Sequence, residues 1–286
     1  MTLKKYFQPV CLKSISIDYN LLNYLKSLKG EIHSIFDNVF NIKTTENNII
    51  SIVSLRKKNG PNFILVDFSD FQKELIYIGC DVIGNSKKIT IGKNLLIDIS
   101  DTKMWKPNIK IKKDKGILKN NLLFLNSILE SHFLDHYLQF RDRFLERIND
   151  FIMSINEKNK QKIYKSIKNL IGFGQGLTPS GDDFLVGFLS SFYFFELSDD
   201  LLILKNYIKS TIFDLKENTN FLSKKFLEYA LFDRYSEIIL DFLNTLYEDK
   251  DSIIISFNDL LKFGCTSGFD IIIGIINGIN TIFLKK

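Results

Sequence analysis

The spacing of apolar residues changes partway along this chain of 286 residues, and that change limits the folds open to it. Up to about residue 105, short β-branched and aromatic runs alternate with turn sequences such as KKNGP and GNSKK, a pattern typical of strands. After about residue 117, apolar residues recur at helical spacing. We therefore predict an α+β protein, with an N-terminal β-rich, barrel- or sandwich-like domain followed by an all-α C-terminal domain.

The predicted elements are short in the first part and longer in the second. The strand segments are SIFDNVFNI, NIISIVSL, FILVDF, LIYIG, KKITIG and NLLIDIS, with one helix at residues 19–28. The later helices cover residues 117–129, 133–155, 162–170, 201–215, 221–232, 236–246 and 256–263, and two very apolar helices cover 184–195 and 271–284. Between the parts, KPNIKIKKDKG at residues 106–116 is predicted to be a solvated basic linker. The predicted domains are therefore residues 1–105 and 117–286.

Composition and charge narrow the classes of partner. A balance of 38 Lys+Arg against 33 Asp+Glu gives a net charge of only +5, so we expect no nucleic-acid partner. The apolar runs are too short to cross a bilayer, and the N-terminus has no apolar core of a secretory signal. The odd, widely spaced Cys11, Cys80 and Cys265 favour a reducing cytoplasm. His132 and His136 lie four apart on a predicted helix, but no third ligand has matching spacing, so no metal site is predicted.

One stretch, IGFGQGLTPSGDDFLVGF at residues 171–188, holds five of the 15 glycines. Each glycine costs about 1 kcal/mol relative to alanine inside a helix, so this series predicts a tight loop between two helices. Ser180 followed by Asp183 has the pattern of a capping box, which predicts that a helix begins there. Capping alone is a purely structural role, and it leaves Asp182 without a capping duty. We therefore expect Asp182→Asn to leave the thermal midpoint nearly unchanged and to abolish activity.

The pattern recurs in FGCTSGFDIIIGIINGI at residues 263–279. Ser267-Gly268-Phe269-Asp270 aligns with Ser180-Gly181-Asp182-Asp183, and Gly274 follows Asp270 by four positions, as Gly187 follows Asp183. If the two buried helices pack in parallel, their N-termini converge and present unpaired N–H groups and two positive dipole ends. Such an arrangement is an anion site. The carboxylates would orient donors, bind an amine or a metal, or move protons.

A third segment, NTNFLSKKFLEYA at residues 218–230, adds two hydroxyls. Thr219 stands at a predicted N-cap, and Ser223 follows one turn later on the same face. Capping alone accounts for Thr219. The Ser223 hydroxyl is a candidate for lining the same pocket.

These segments resemble a known family. GFGQGLTPSGDDFLVG resembles the signature G-x-G-x-GLTPSGDD-x-L-x-G of the AllH-type oxamate carbamoyltransferase subunits, formerly a domain of unknown function. The order and spacing of HSIFDNVFNI, NGPNFILVDF, the Trp105 segment, NTNFLSKKFL and GCTSGFDIIIG are also similar, so the resemblance extends along nearly the whole chain. Cys265 departs from the family pattern, in which a histidine is expected.

The resemblance implies a two-domain subunit of a carbamoyltransferase with two unlike partner subunits, acting in anaerobic allantoin degradation and thus in purine catabolism. Its implied substrates are carbamoyl phosphate and an oxamate- or oxalurate-like compound. The alternatives are a non-catalytic regulatory or assembly subunit that binds a small anionic metabolite, and a purely structural partner. The sequence does not identify a cofactor.

The motifs and the resemblance together give a set of candidate site residues. The catalytic candidates are Asp182, Asp183 and Asp270. The substrate-binding candidates are Gly174, Gly176, Thr178, Ser180, Gly181, Thr219, Ser223, Thr266, Ser267 and Gly268.

Overall fold

The computed structural model describes residues 9–68, 75–108, 115–136, 141–193 and 195–283. The chain divides into two compact units, Met1–Pro107 and Asn108–Lys286. Most of the basic segment predicted as a linker, residues 109–114, lies outside the described residues.

The first unit is a β-barrel. Its strands are β1 (Val10–Asp18), β2 (Lys29–Ile35), β3 (Val39–Thr44), β4 (Ile49–Val53), β5 (Phe63–Val66), β6 (Asp81–Gly84), β7 (Lys88–Ile91), β8 (Leu95–Asp98) and β9 (Lys103–Trp105). Eight strands follow the order β5-β4-β3-β2-β6-β7-β8-β1, and β1 pairs back onto β5 and closes the barrel. Strand β9 pairs in parallel with β1. Alternate side chains such as Phe40, Ile42, Ile50 and Ile52 fill the core, as the two-residue period of a strand requires.

The β-rich prediction is confirmed, but several of its strands were placed wrongly. SIFDNVFNI is two strands, because residues 36–38 form a turn closed by a hydrogen bond from Phe36 N to Val39 O (2.8 Å). LIYIG is not a strand, and its chain turns at Gly79, whose φ is +83°. Strand β1 was missed because polar Ser14 and Ser16 occupy buried positions in it. The predicted helix at residues 19–28 is only a 3₁₀ turn and α1 (Leu22–Leu25).

The second unit is helical, as predicted: every regular element in its described part is a helix. These are α2 (Lys115–His136), α3 (Arg141–Asn156), α4 (Lys160–Leu170), α5 (Ser180–Tyr193), α6 (Asp199–Leu215), α7 (Phe221–Leu231), α8 (Glu237–Thr245), α9 (Lys250–Leu261) and α10 (Ser267–Phe283). The predicted helix at residues 133–155 corresponds to parts of α2 and α3, and residues 137–140 lie outside the described residues. None of the described helices has the length and apolar character to cross a membrane.

Helices α3–α5 and α8–α10 form an internal structural repeat, which is visible in matching hydroxyl pairs. Ser154 on α3 and Ser166 on α4 are 3.2 Å apart (Oγ to Oγ). In the second copy, Thr245 on α8 and Ser256 on α9 are 2.6 Å apart (Oγ1 to Oγ). The equivalent helix pairs α3–α4 and α8–α9 are therefore each joined by a hydrogen bond between two hydroxyls.

The loops that lead into α5 and α10 also match. The Gly181 N–H donates to the Phe173 carbonyl at 2.9 Å, and the Gly268 N–H donates to the Phe263 carbonyl at 2.9 Å. Each loop therefore folds back onto the first turn of the helix that follows it. The two helix starts with the repeated motif belong to equivalent positions of this repeat.

Candidate functional site

Helices α5 and α10 pack in parallel through glycines. A Cβ atom on Gly187 would lie 2.1 Å from the Ile271 carbonyl oxygen, and a Cβ on Gly274 would lie 2.1 Å from the Phe184 carbonyl oxygen. Only glycine permits backbones to approach so closely. The two contacts are reciprocal, as an approximate two-fold axis between the helices requires. This is the parallel arrangement under which the repeated motif would bring the two N-termini together.

The two helix starts meet through their hydroxyls. Thr178 Oγ1, in the loop before α5, lies 2.8 Å from Ser267 Oγ, the first residue of α10. The side chains of Thr178 and Ser267 are separated by 89 positions in the sequence. Parallel packing of α5 and α10 places them side by side, so the predicted convergence of the two N-termini is present in the structure.

Asp183 lies beside this hydroxyl pair and is buried. Burial raises the pKa of its carboxyl to about 7, hydrogen bonds from Ser267 and Thr178 act to lower it, and the charge of Asp182 raises it further. The Oδ2 atom of Asp183 is buried and has no hydrogen-bond partner among the described residues. A carboxyl group with these properties can gain or lose a proton near neutral pH.

The capping-box interpretation is wrong. The Asp183 N–H donates to the Pro179 carbonyl at 3.1 Å, so Ser180 is already inside the helix and not its cap. The Asp270 N–H likewise donates to the Thr266 carbonyl at 3.1 Å. The carboxyl of Asp183 is engaged by a hydroxyl from the neighbouring helix, an interaction that sequence spacing does not reveal.

Asp182 holds three separate segments together. Its carboxylate accepts hydrogen bonds from Gly172 N at 2.9 Å, Thr219 Oγ1 at 2.5 Å and Ser223 Oγ at 2.7 Å. Burial raises the pKa of this carboxyl, although the three hydrogen bonds oppose the rise. The interpretation of Asp182 as the carboxylate without a structural duty is therefore wrong: it ties the glycine-rich loop to the start of α7.

Thr219 is not the N-cap of α7. The cap is Asn220, whose side chain accepts from Ser223 N at 3.0 Å. The Thr219 hydroxyl is thereby left to donate to Asp182, together with that of Ser223. Both hydroxyls that the sequence singled out in this segment thus contact one buried carboxylate.

The remaining candidates lie in the loops and first turns. Gly174 and Gly176 are exposed in the loop before α5, with φ of +120° and +94°. The N–H groups of Gly181 and Gly268 are bonded to loop carbonyls, so in this structure they are not available to a ligand. Asp270 is fully buried, and burial raises its pKa well above the ordinary range.

Other potential reactive groups are less well placed. Cys265 is exposed in the loop before α10. Among the described residues, no group of three or more His, Cys, Asp or Glu side chains could hold a metal ion. The side chains of His132 and His136 lie outside the described residues.

Comparison with known families accounts for both units. The profile described as oxamate carbamoyltransferase subunit AllH matches residues 170–279, which include both helix starts, the two glycines that pack α5 on α10, and α7. The profile of the AllH family N-terminal domain matches residues 13–104, which form the barrel. The chain belongs to the AllH family. The family is named for a subunit of oxamate carbamoyltransferase. The search of solved structures found no match to the chain.

Proposed function

We propose that this AllH-family chain is a carbamoyltransferase subunit of the oxamate and oxalurate type, linked to carbamoyl phosphate. In this proposal the site lies where α5 and α10 begin and binds the oxyanion groups of the substrate. The observation that supports it most strongly is the contact between Thr178 and Ser267 beside buried Asp183. It brings the two most distinctive motifs of the chain to one place.

The chemistry of carbamoyl transfer suits these groups. In the direction of oxalurate cleavage, a phosphate oxygen attacks the carbamoyl carbon, the bond from that carbon to the oxamate nitrogen breaks, and the nitrogen takes up a proton. Asp183, with a pKa of about 7, is suited to give that proton and to take it back in the reverse reaction. The hydroxyls of Thr178 and Ser267 are suited to donate to the carbonyl oxygen as it gains charge.

Asp182, Thr219 and Ser223 have a supporting role in this proposal. Their hydrogen bonds fix the loop that contains Gly172 against α7, and that loop leads directly to Thr178. Asp182 is therefore proposed to position Thr178 rather than to contact the reacting atoms.

In this proposal the chain forms a complex with two unlike partner subunits. The complex acts in the cytoplasm, in allantoin degradation. The proposal is tested by reconstituting the chain with its partners and measuring phosphate-dependent oxalurate cleavage. Ser267→Ala should lower kcat/KM by roughly tenfold or more, as loss of a transition-state donor does. The matched control is Ser190→Ala, which removes a buried hydroxyl on α5 whose one hydrogen bond within the described residues goes to the Gly187 carbonyl (2.7 Å). Equal activity of the two variants would contradict the proposed site and would favour a regulatory or assembly role.

A further inference from the structure

Arg147 on α3 lies against the glycine-rich loop. Its guanidinium carbon is 4.3 Å from the centre of the Phe173 ring, and its Nη1 donates to the carbonyl of Asn169 near the end of α4. The Phe173 ring also stacks on Phe144, one turn earlier on α3, at 5.8 Å between centroids. The guanidinium is thus held in a fixed place by a ring and a carbonyl.

Phe173 connects this guanidinium to the first helix start. Its carbonyl accepts the N–H of Gly181 in the first turn of α5, and the next residue is Gly174. A Cβ atom on Gly174 would lie 2.6 Å from Ser180 N, so the loop backbone passes directly over the helix start. Arg147 is therefore linked to the first turn of α5 through a single loop residue, Phe173.

The proposed site needs a positive charge that its motifs do not supply. Its substrates carry carboxylate or phosphate groups, whereas the motif side chains are hydroxyls and the carboxyls of Asp182, Asp183 and Asp270. The first-turn N–H groups of Gly181 and Gly268 are already bonded to loop carbonyls. An oxyanion placed there would meet acidic groups with few free backbone donors.

Arg147 has the properties that such an anion requires. It is half-buried, and within the described part of the chain no carboxylate pairs with it. A guanidinium has five N–H donors in a planar fork that matches carboxylate and phosphate oxygens. Asn169 takes a hydrogen bond from one of its nitrogens, so further donors remain. In the second copy of the repeat, matched through Ser154 and Thr245, the equivalent residue is Ile238.

We propose that Arg147 is the residue that binds the carboxylate or phosphate oxygens of the substrate, and that stacking on Phe173 positions it. This inference rests on the proposed site at the helix starts. The structural alternative is that Arg147 only satisfies a carbonyl at the C-terminal end of α4. That role predicts a loss of stability without a change in ligand preference.

The test measures binding of three probes to the purified full-length chain by calorimetry: inorganic phosphate, oxamate and the neutral diamide oxamide. Arg147→Gln should weaken phosphate or oxamate binding by roughly tenfold to a hundredfold, as loss of a charge-assisted hydrogen bond does, and should leave oxamide binding unchanged. Arg147→Lys should lie between wild type and Arg147→Gln, because it keeps the charge and loses the fork. Whichever anion loses more affinity identifies the group that Arg147 contacts.

The control is Arg234→Gln. Arg234 stacks on Tyr229 at 5.2 Å, beyond the opposite end of α7 from Thr219 and Ser223. Equal anion affinity in the Arg147 and Arg234 variants would overturn the inference, as would the absence of phosphate and oxamate binding to the wild-type chain. An Arg147-dependent anion site in a chain whose complex lacks carbamoyl transfer would refute the proposed function and leave the inference standing. Carbamoyl transfer that depends on Ser267 and not on Arg147 would support the proposed function and refute the inference about Arg147.

Discussion

The two copies of the helical repeat share a scaffold but differ in their polar groups. In both, a loop carbonyl accepts the N–H of a first-turn glycine, and a glycine six residues further on admits the backbone of the other helix. At the first start, Asp182 binds three donors and Arg147 lies over the loop, whereas the second copy has Phe269 and Ile238 at these positions. The two copies therefore share their packing, and the first alone carries an aspartate and an arginine at these two positions.

The packing glycines should show the largest effects. Gly187→Ala and Gly274→Ala each place a methyl group 2.1 Å from a carbonyl oxygen. Because backbone atoms on both helices would have to move, we expect either change to cost more than about 3 kcal/mol in the free energy of unfolding. Urea denaturation followed by circular dichroism measures this.

The contrasting variant is Gly176→Ala. No atom of the described residues lies within 4 Å of a Cβ at that position, so the cost comes from its φ of +94° and should be about 1 kcal/mol. Similar losses for Gly176→Ala and Gly187→Ala would show that the close approach of α5 and α10 is not what requires glycine.

The next largest loss of stability is expected from a change at Asp182. Asp182→Asn replaces an acceptor of three hydrogen bonds with a group that has one acceptor and two donors, so buried donors on Gly172, Thr219 or Ser223 lose their partner. We expect a loss of about 2–4 kcal/mol in the free energy of unfolding. The counterpart Phe269→Leu, which removes no hydrogen bond, should cost less than about 2 kcal/mol. An unchanged melting temperature in Asp182→Asn would restore the view that this carboxylate has no structural duty.

Asp182 and Asp183 show which features of the site could be predicted from the sequence and which could not. The spacing of Ser180, Asp183 and Gly187 was enough to predict a buried helix, and its repetition before α10 suggested the parallel packing that the structure shows. It could not assign the carboxyls. The donors to Asp182 come from segments up to 41 positions away, so their identity depends on the tertiary fold.

Arg147 was not predicted for the same reason. Nothing in its local sequence distinguishes it from the other basic residues of α3, and only the packing of Phe173 against that helix gives it a fixed place. In the barrel, the alternating pattern was sufficient for the class of fold. Strand β1 was not predicted, because its buried serines give the sequence the polar pattern of an exposed segment.

Asp183 should have a smaller effect on stability, and that effect should depend on pH. Its pKa is raised from 3.8 to about 7 by burial, so between about pH 4 and pH 7 the unfolded chain is ionised at this residue while the folded chain keeps its proton. The folded state then binds more protons, and stability falls as the pH rises through this window. Because Asp183→Asn cannot ionise, its thermal midpoint should rise by a few degrees relative to that of the wild type as the pH goes from 4 to 7. A constant difference would contradict a protonated Asp183.

The smallest effect is expected at Cys265, and it decides whether the thiol before the second start takes part in chemistry. The residue is exposed, so Cys265→Ala should change the free energy of unfolding by less than about 0.5 kcal/mol. If the chemistry depends on Asp183 and the hydroxyls of Thr178 and Ser267 and not on the thiol, Cys265→Ala should keep the activity of the reconstituted complex within about twofold, whereas Ser267→Ala loses roughly tenfold. Oxalurate cleavage by both variants, measured side by side, gives the answer. A loss in Cys265→Ala as large as that in Ser267→Ala would mean that the thiol contacts the reacting group. The second start would then contribute a thiol as well as the Ser267 hydroxyl, whereas the first contributes Asp183 and Thr178.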